Sequence, residues 1–255
     1  MSVVPWEGPA LGELAVILAA MAVGGFVKGA AGAGLPQITI PVMAIFLGVE
    51  HAVVVMAIPG VVINAWLFWV HRAHLRATRD LPVLLVAGVL GTVLGTLGLT
   101  ALHSQALTFV LAGVILLYVA VVLSKWEIAL PAALSRYTSP PVGLAAGLLQ
   151  GSTGMSGPVL STYLHSYRLG KETLVISLVT LFQVFALTQV FTLLQLGLYS
   201  TSRVVESLLA LVPLMMAVPA GTWVSRRMSR RGFDLLVAAV LTLSAATLLQ
   251  GAVGG

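Results

Sequence analysis

The stretch Gly25-Phe26-Val27-Lys28-Gly29-Ala30-Ala31-Gly32-Ala33-Gly34-Leu35-Pro36 recurs 122 residues later as Gly147-Leu148-Leu149-Gln150-Gly151-Ser152-Thr153-Gly154-Met155-Ser156-Gly157-Pro158. Gly25 overlays Gly147, Gly29 overlays Gly151, Gly32 overlays Gly154 and Pro36 overlays Pro158. With 26 glycines in 255 residues, a chance Gly–Gly match falls at about 1% of positions, so this clustering marks an internal repeat. The same offset places Gly48 on Gly170 and Glu50 on Glu172. Glycine and proline at this density stop a helix. Both breaks interrupt apolar sequence, and broken backbone at membrane depth is tolerated only where protein or a cavity surrounds it.

The composition agrees with a membrane setting. Apolar residues make up 59% of the chain, charged residues only 8%, and mean hydropathy is +1.06. A soluble domain carries about 25% charge. So low a charge excludes a soluble enzyme, a disordered tail and a nucleic-acid module. The net charge of +5 is spread thinly and carries topology information rather than a nucleic-acid footprint. Cysteine is absent, which removes disulfides, thiolate metal sites and cysteine nucleophiles. Residues 1–10 hold no Lys or Arg and include Glu7, so no cleaved signal peptide is expected.

The pattern predicts helices at 11–31, 36–47, 51–71, 80–102, 105–124, 141–153, 157–167, 173–197, 203–225 and 232–252. About 20 residues cross a bilayer core, so 36–47, 141–153 and 157–167 are too short to span. Two units follow, 1–125 and 138–255, joined by a linker at 126–137. Each is a broken-helix hairpin plus three full transmembrane helices. In the first unit, the loop after 51–71 carries Arg72, Arg76 and Arg79, and the next, around His103, carries no Lys or Arg. The second unit reverses this: its first loop has only Arg203, its second Arg226, Arg227, Arg230 and Arg231. Equivalent loops therefore sit on opposite sides, and the repeat is inverted. With both Arg clusters in the cytoplasm, Lys125, Arg136, Arg168 and Lys171 join them and both termini lie outside. The expected fold is an all-α polytopic membrane protein of about eight to ten helical segments. Inverted repeats with broken helices meeting near the midplane are a transporter architecture.

The paired motif resembles the TauE/SafE family of sulfite exporters and sulfonate permeases, also called TSUP. Length, repeat, loop charges and both motifs agree over nearly the whole chain. The resemblance implies a bacterial-type inner-membrane protein that moves sulfite, sulfonates, sulfoacetate or related small anions. One departure stands out: Ser156 occupies the position of the motif glycine Gly34.

The residues support anion chemistry. Segments 36–47 and 157–167 begin beside the Gly-rich loops, and their first N–H groups and positive dipole ends face the midplane from opposite sides. Gly29, Gly32, Gly34, Gly151 and Gly154 let backbone approach an anion closely, while Gln37, Gln150, Ser152, Thr153 and Ser156 add neutral hydrogen-bonding groups. The bland alternative is packing, since Gly25-x-x-x-Gly29 and Gly147-x-x-x-Gly151 are also small-residue helix contacts. Lys28 is the sharpest candidate, because a charge inside a bilayer is expensive and usually functional; otherwise it snorkels to the surface. Asn64 and Gln183 are candidate cavity residues, whereas Gln189 and Gln195 suit interhelical hydrogen bonding. Glu50 and Glu172 are expected to cap the following helices, with proton coupling as the second reading. His51, His71, His74 and His103 fall at helix ends, where interface placement suffices, and Trp66, Trp69 and Trp223 suit interfacial anchoring.

Other classes fit less well. Gly154-Met155-Ser156-Gly157 matches a Gly-x-Ser-Gly protease pattern, but a serine nucleophile needs a histidine base and only His165 follows it. Divalent-cation transport needs carboxylates, histidines or thiolates inside the membrane, so no metal is expected. No cofactor is implied, and no Gly-x-x-x-x-Gly-Lys-Ser/Thr signature points to ATP as driving force. The expectation is a secondary transporter exporting a small sulfur-containing anion by alternating access. A passive anion channel, or an importer of another small organic anion, shares the same features. The sequence leaves oligomeric state open.

Overall fold

A computed structural model of the chain describes residues 10–31, 34–72, 80–124, 132–225 and 241–252. The helices are α1 (Leu11–Ala31), α2 (Leu35–Leu47), α3 (Val49–His71), α4 (Leu81–Ala101), α5 (Ser104–Ser124), α6 (Ala132–Thr153), α7 (Gly157–His165), α8 (Lys171–Gln195), α9 (Thr201–Ser225) and α10 (Leu241–Ala252). No strand occurs among the described residues. Among the described residues five helices, α1, α3, α4, α8 and α9, are long and apolar enough to cross a membrane. The chain is a polytopic all-helical membrane protein. Gly32, His74, Arg76, Arg79, Lys125, Arg226, Arg227, Arg230 and Arg231 lie outside the described residues, as do 126–131 of the expected linker.

Two tight seams organise the bundle: α1 lies along α9, and α6 along α4. Glycine is the cause. A Cβ on Gly25 would press on Leu214, and one on Gly29 would overlap the Val218 carbonyl. Across the same seam, a Cβ on Gly221 would overlap the Phe26 carbonyl. In the other seam Gly147 faces the backbone of Gly88 and Thr92, and Gly151 that of Thr92 and Thr96, while Gly91 and Gly95 face Leu144 and Leu148. Without side chains at these points, backbones approach closely and dispersion contacts replace the hydrophobic drive that lipid cannot supply. The 122-residue offset that overlays Gly29 on Gly151 also overlays Val218 on Thr96.

Between the seams, α3 packs against α8. Tyr199, just past the end of α8, donates its hydroxyl to the Val54 carbonyl near the start of α3 at 3.2 Å, so the two helices run antiparallel. The main core gathers Ile17, Met21, Ile40, Met43, Val54 and Ile115, and a second core gathers Leu84, Leu160, Leu181 and Phe185. Phe191, Met216 and Leu243 are exposed on the outside, as lipid-facing positions should be.

One expectation needs correction. The segment 141–153 is not a short arm: α6 starts at Ala132 and runs 22 residues, taking in 132–137 of the expected linker. Pro140 and Pro141 read as a helix stop, yet both lie inside the helix. Local hydroxyls hold the turn before them. Thr138 Oγ1 donates to Leu134 O at 3.1 Å and Ser139 Oγ to Ser135 O at 2.7 Å. Tyr163 of α7 donates to Ser135 O at 3.2 Å. The short arms α2 and α7, 13 and 9 residues, are as expected.

Candidate functional site

The broken helices bring their starts together between α3 and α8. Gly34 precedes α2 with φ 98, a left-handed conformation that glycine adopts without strain. In the second copy the left-handed residue is Gly154, at φ 69, and Ser156 is right-handed at φ −86. This explains the departure from the motif: the chain turns two residues earlier, so serine is tolerated at 156. Proline sits in the first turn of both α2 and α7, where its missing N–H is no loss. The remaining first-turn N–H groups lack intrahelical acceptors and give each start a positive end.

A cavity of about 140 Å³ lies at this junction. Its walls are one stripe of α3 (Val53, Met56, Ala57, Gly60, Asn64, Leu67) and one of α8 (Val175, Leu178, Val179, Phe182, Ala186, Gln189). Each position of the first stripe is 122 residues from its counterpart in the second. The spacing is that of a single helical face. Because α3 and α8 are antiparallel, Val53 and Gln189 stand at one end and Leu67 and Val175 at the other. Val53, Met56 and Gln189 are buried, whereas Asn64, Leu67 and Val175 are half-buried. The cavity is thus sealed towards the face holding Glu50 and Tyr199, and more exposed towards the face holding Arg72 and Lys171.

Of the residues expected at a site, Lys28, Gly34, Gln37, Asn64, Gln150, Gly154 and Ser156 line the cavity. Gly29 and Gly151 do not; their backbones are taken up by the seams with α9 and α4. Ser152 and Thr153 do not either, because their hydroxyls bond back to Leu148 O at 2.8 Å and Leu149 O at 2.7 Å in their own helix. Gln183 also lies outside the lining, and its Oε1 is buried without a partner in the structure. Gly32 lies outside the described residues.

The polar groups of the cavity fall into two sets. Ser156 Oγ donates to Gln150 Oε1 at 2.7 Å, Gln150 Nε2 donates to Gln189 Oε1 at 3.0 Å, and Gln189 Nε2 donates to the Gln150 carbonyl at 2.8 Å. This network uses the interhelical hydrogen bonding expected of Gln189 and also brings it to the cavity. Lys28 has no carboxylate within ion-pair distance among the described residues. Gln37 is 7% exposed, its amide lies against Gly157 at the start of α7, and its Oε1 is unpartnered. Sequence reasoning passed over Ser161, Phe182 and the apolar stripes. In a helix apolar on every side, periodicity cannot say which face meets a cavity. Carrying the 122-residue offset into α3 and α8 would have paired the two stripes. Ser156, bonded to Gln150, has no histidine beside it in the lining, which leaves the protease pattern without its base.

Two further expectations change. Neither α3 nor α8 has a side-chain N-cap hydrogen bond; Glu50 and Glu172 lie in their first turns, where the dipole favours a carboxylate, and Glu50 meets Arg203 at 3.0 Å. His51 is not a simple interface residue, since its Nε2 is 2.6 Å from Glu206 Oε2. Trp66, Trp69 and Trp223 are exposed as anchors should be, with Arg72 stacked 3.2 Å over the Trp69 ring.

A polytopic helical bundle with broken helices opening onto an interior, mostly apolar cavity that carries a few polar groups defines an integral membrane protein of the transporter type. The chain belongs to the sulfite exporter TauE/SafE family, which matches residues 16–248. The family is one of membrane transporters rather than enzymes. No curated protein and no solved structure matches the chain.

Proposed function

We propose that the chain is a secondary transporter that exports a small sulfur-containing anion, sulfite or an organosulfonate, by exposing the cavity alternately to each side. Lys28 is the observation that carries this reading. An ammonium in a low-dielectric cavity is costly unless something balances it, and no described carboxylate does. An anion at the starts of α2 and α7 supplies that charge and meets free N–H groups. Members of the cavity network, Gln150 and Ser156, supply neutral contacts weak enough to permit release.

Two inverted units, 1–125 and 138–255, are the frame we propose for the motion. The matched seams and the matched stripes of α3 and α8 support it. So does the joining of Glu50 to Arg203, which puts the starts of α3 and α9 on one face, as the loop charges require. In this reading both termini lie outside a bacterial-type inner membrane. An inside-negative potential favours anion exit by about 2.3 kcal/mol per charge per 100 mV, so export needs no co-ion.

The test is electrogenic flux in proteoliposomes with sulfite, sulfoacetate, thiosulfate, sulfate and chloride. A saturable current for one sulfur anion, lowered at least about tenfold in Lys28→Met, supports the reading. Unchanged flux in that variant would remove Lys28 from the site. A current that never saturates would favour the passive-channel alternative.

A further inference from the structure

The sealed face of the cavity carries a polar cluster that no part of the binding site uses. Glu206, in the second turn of α9, is 1% exposed. Its Oε2 lies 2.6 Å from His51 Nε2 on α3, and its Oε1 accepts from Ser202 Oγ at 2.9 Å. Next to it Arg203 meets Glu50 at 3.0 Å and donates to Leu198 O at 2.9 Å. Tyr199 ties the same corner by its bond to Val54 O. Burial raises the Tyr199 phenol above its ordinary value, which keeps it a donor. Three of these contacts, His51–Glu206, Glu50–Arg203 and Tyr199–Val54, join the first unit to the second.

Among the described residues, the positions of the opposite face that match His51 and Glu206 do not repeat the pair. The 122-residue offset puts Leu81 where Arg203 stands, Leu84 where Glu206 stands and Thr173 where His51 stands. Leu81 and Leu84 are buried apolar core, so no such ion pair can form there. At matched positions one face thus carries a polar cross-link and the other apolar core.

We infer that the His51–Glu206 pair, supported by Glu50–Arg203, is a gate that holds this face closed. The inference rests on the proposed alternating exposure of the cavity. Loss of either partner leaves the other without its cross-link to the facing helix. The charged and titratable groups around it are Glu50 and His51 on α3, Arg203 and Glu206 on α9, and Tyr199 before α9. Neither α2 nor the last two turns of α8 carries a charged residue, and Glu13 of α1 and His103 before α5 are exposed.

The native chain has no cysteine, so single reporters can be placed without background. Val53→Cys would report the sealed end and Leu67→Cys the other end. Each is labelled from one side with a membrane-impermeant maleimide and normalised to an exposed reporter on the same face, Ser200→Cys for Val53→Cys and Lys171→Cys for Leu67→Cys. Adding Glu206→Gln or His51→Ala should raise labelling of Val53→Cys from the gate side at least about tenfold, and lower that of Leu67→Cys from the other. Unchanged labelling in a monodisperse variant overturns the gate. A rise at both reporters overturns it too, since that is loosening rather than exchange. Reciprocal labelling in a protein that carries no sulfur-anion flux would instead sink the substrate reading and leave the gate standing.

Discussion

Gln150 and Gln189 hold each other twice: the Gln150 amide donates to Gln189 Oε1 at 3.0 Å, and the Gln189 amide donates back to the Gln150 carbonyl at 2.8 Å. Gln189 also reaches the Gly151 carbonyl at 3.2 Å. These bonds sit in the last turn of α6, next to the break, where the Gln150 carbonyl accepts both the Gln189 amide and Gly154 N–H at 2.8 Å. One side chain of α8 thus closes the end of a broken helix and sets the position of a cavity amide.

Replacing Gln189 by leucine should therefore weaken both stability and transport. The variant leaves the Gln150 amide and two carbonyls without these partners. A loss of about 1 kcal/mol is expected, near the upper range for single hydrogen bonds inside membranes. Thermal unfolding of the purified protein in detergent should show a lower midpoint, and proteoliposome flux should fall with it. An unchanged midpoint would mean that water replaces the lost donor.

Gly29 and Gly151 should prove structural rather than substrate-binding. Gly29→Leu would drive a side chain into Val218 of α9, and Gly151→Leu into Thr92 and Thr96 of α4. Forced separation of packed helices costs about 1–3 kcal/mol or more. The measurement is yield of monodisperse protein, which should drop for each. Well-folded variants with normal yield and altered substrate preference would return these glycines to the site.

Gly60 should behave in the opposite way. It lines the cavity, and a Cβ there meets nothing within 4 Å. Its counterpart by the 122-residue offset is Phe182, which also lines the cavity. Gly60→Phe should fold normally, because the ring enters empty space and glycine is unfavourable in a helix interior by roughly 1 kcal/mol. Flux should fall at least about tenfold as the ring fills the route. Native flux with the variant folded would show that the substrate passes elsewhere.

How far the fold could be read from sequence depended on what each residue has to do. The breaks at Gly34 and Gly154 were legible because glycine and proline act locally. The length of α6 was not, since Pro140 and Pro141 are sustained within a helix by tertiary partners, among them Tyr163 from α7. Lys28, Gln37, Asn64 and Gln150 were legible as polar residues in apolar surroundings. The placement of Gly29, Ser152 and Thr153 was not, because a small residue serves packing, its own helix or a ligand equally well by composition. Glu206 escaped notice since a carboxylate near a helix start passes as solvated until α3 is seen to cover it.

The antiparallel stripes of α3 and α8 put Leu67 and Gln189 at the same register but at opposite mouths of the cavity. A bound anion therefore meets an amide at one mouth and an alkyl side chain at the other. Half-saturating concentrations measured from the two sides of the membrane should then be unequal, although the driving force is set by the gradients alone. In that respect the transporter has a front and a back, wetted differently where solute comes and goes.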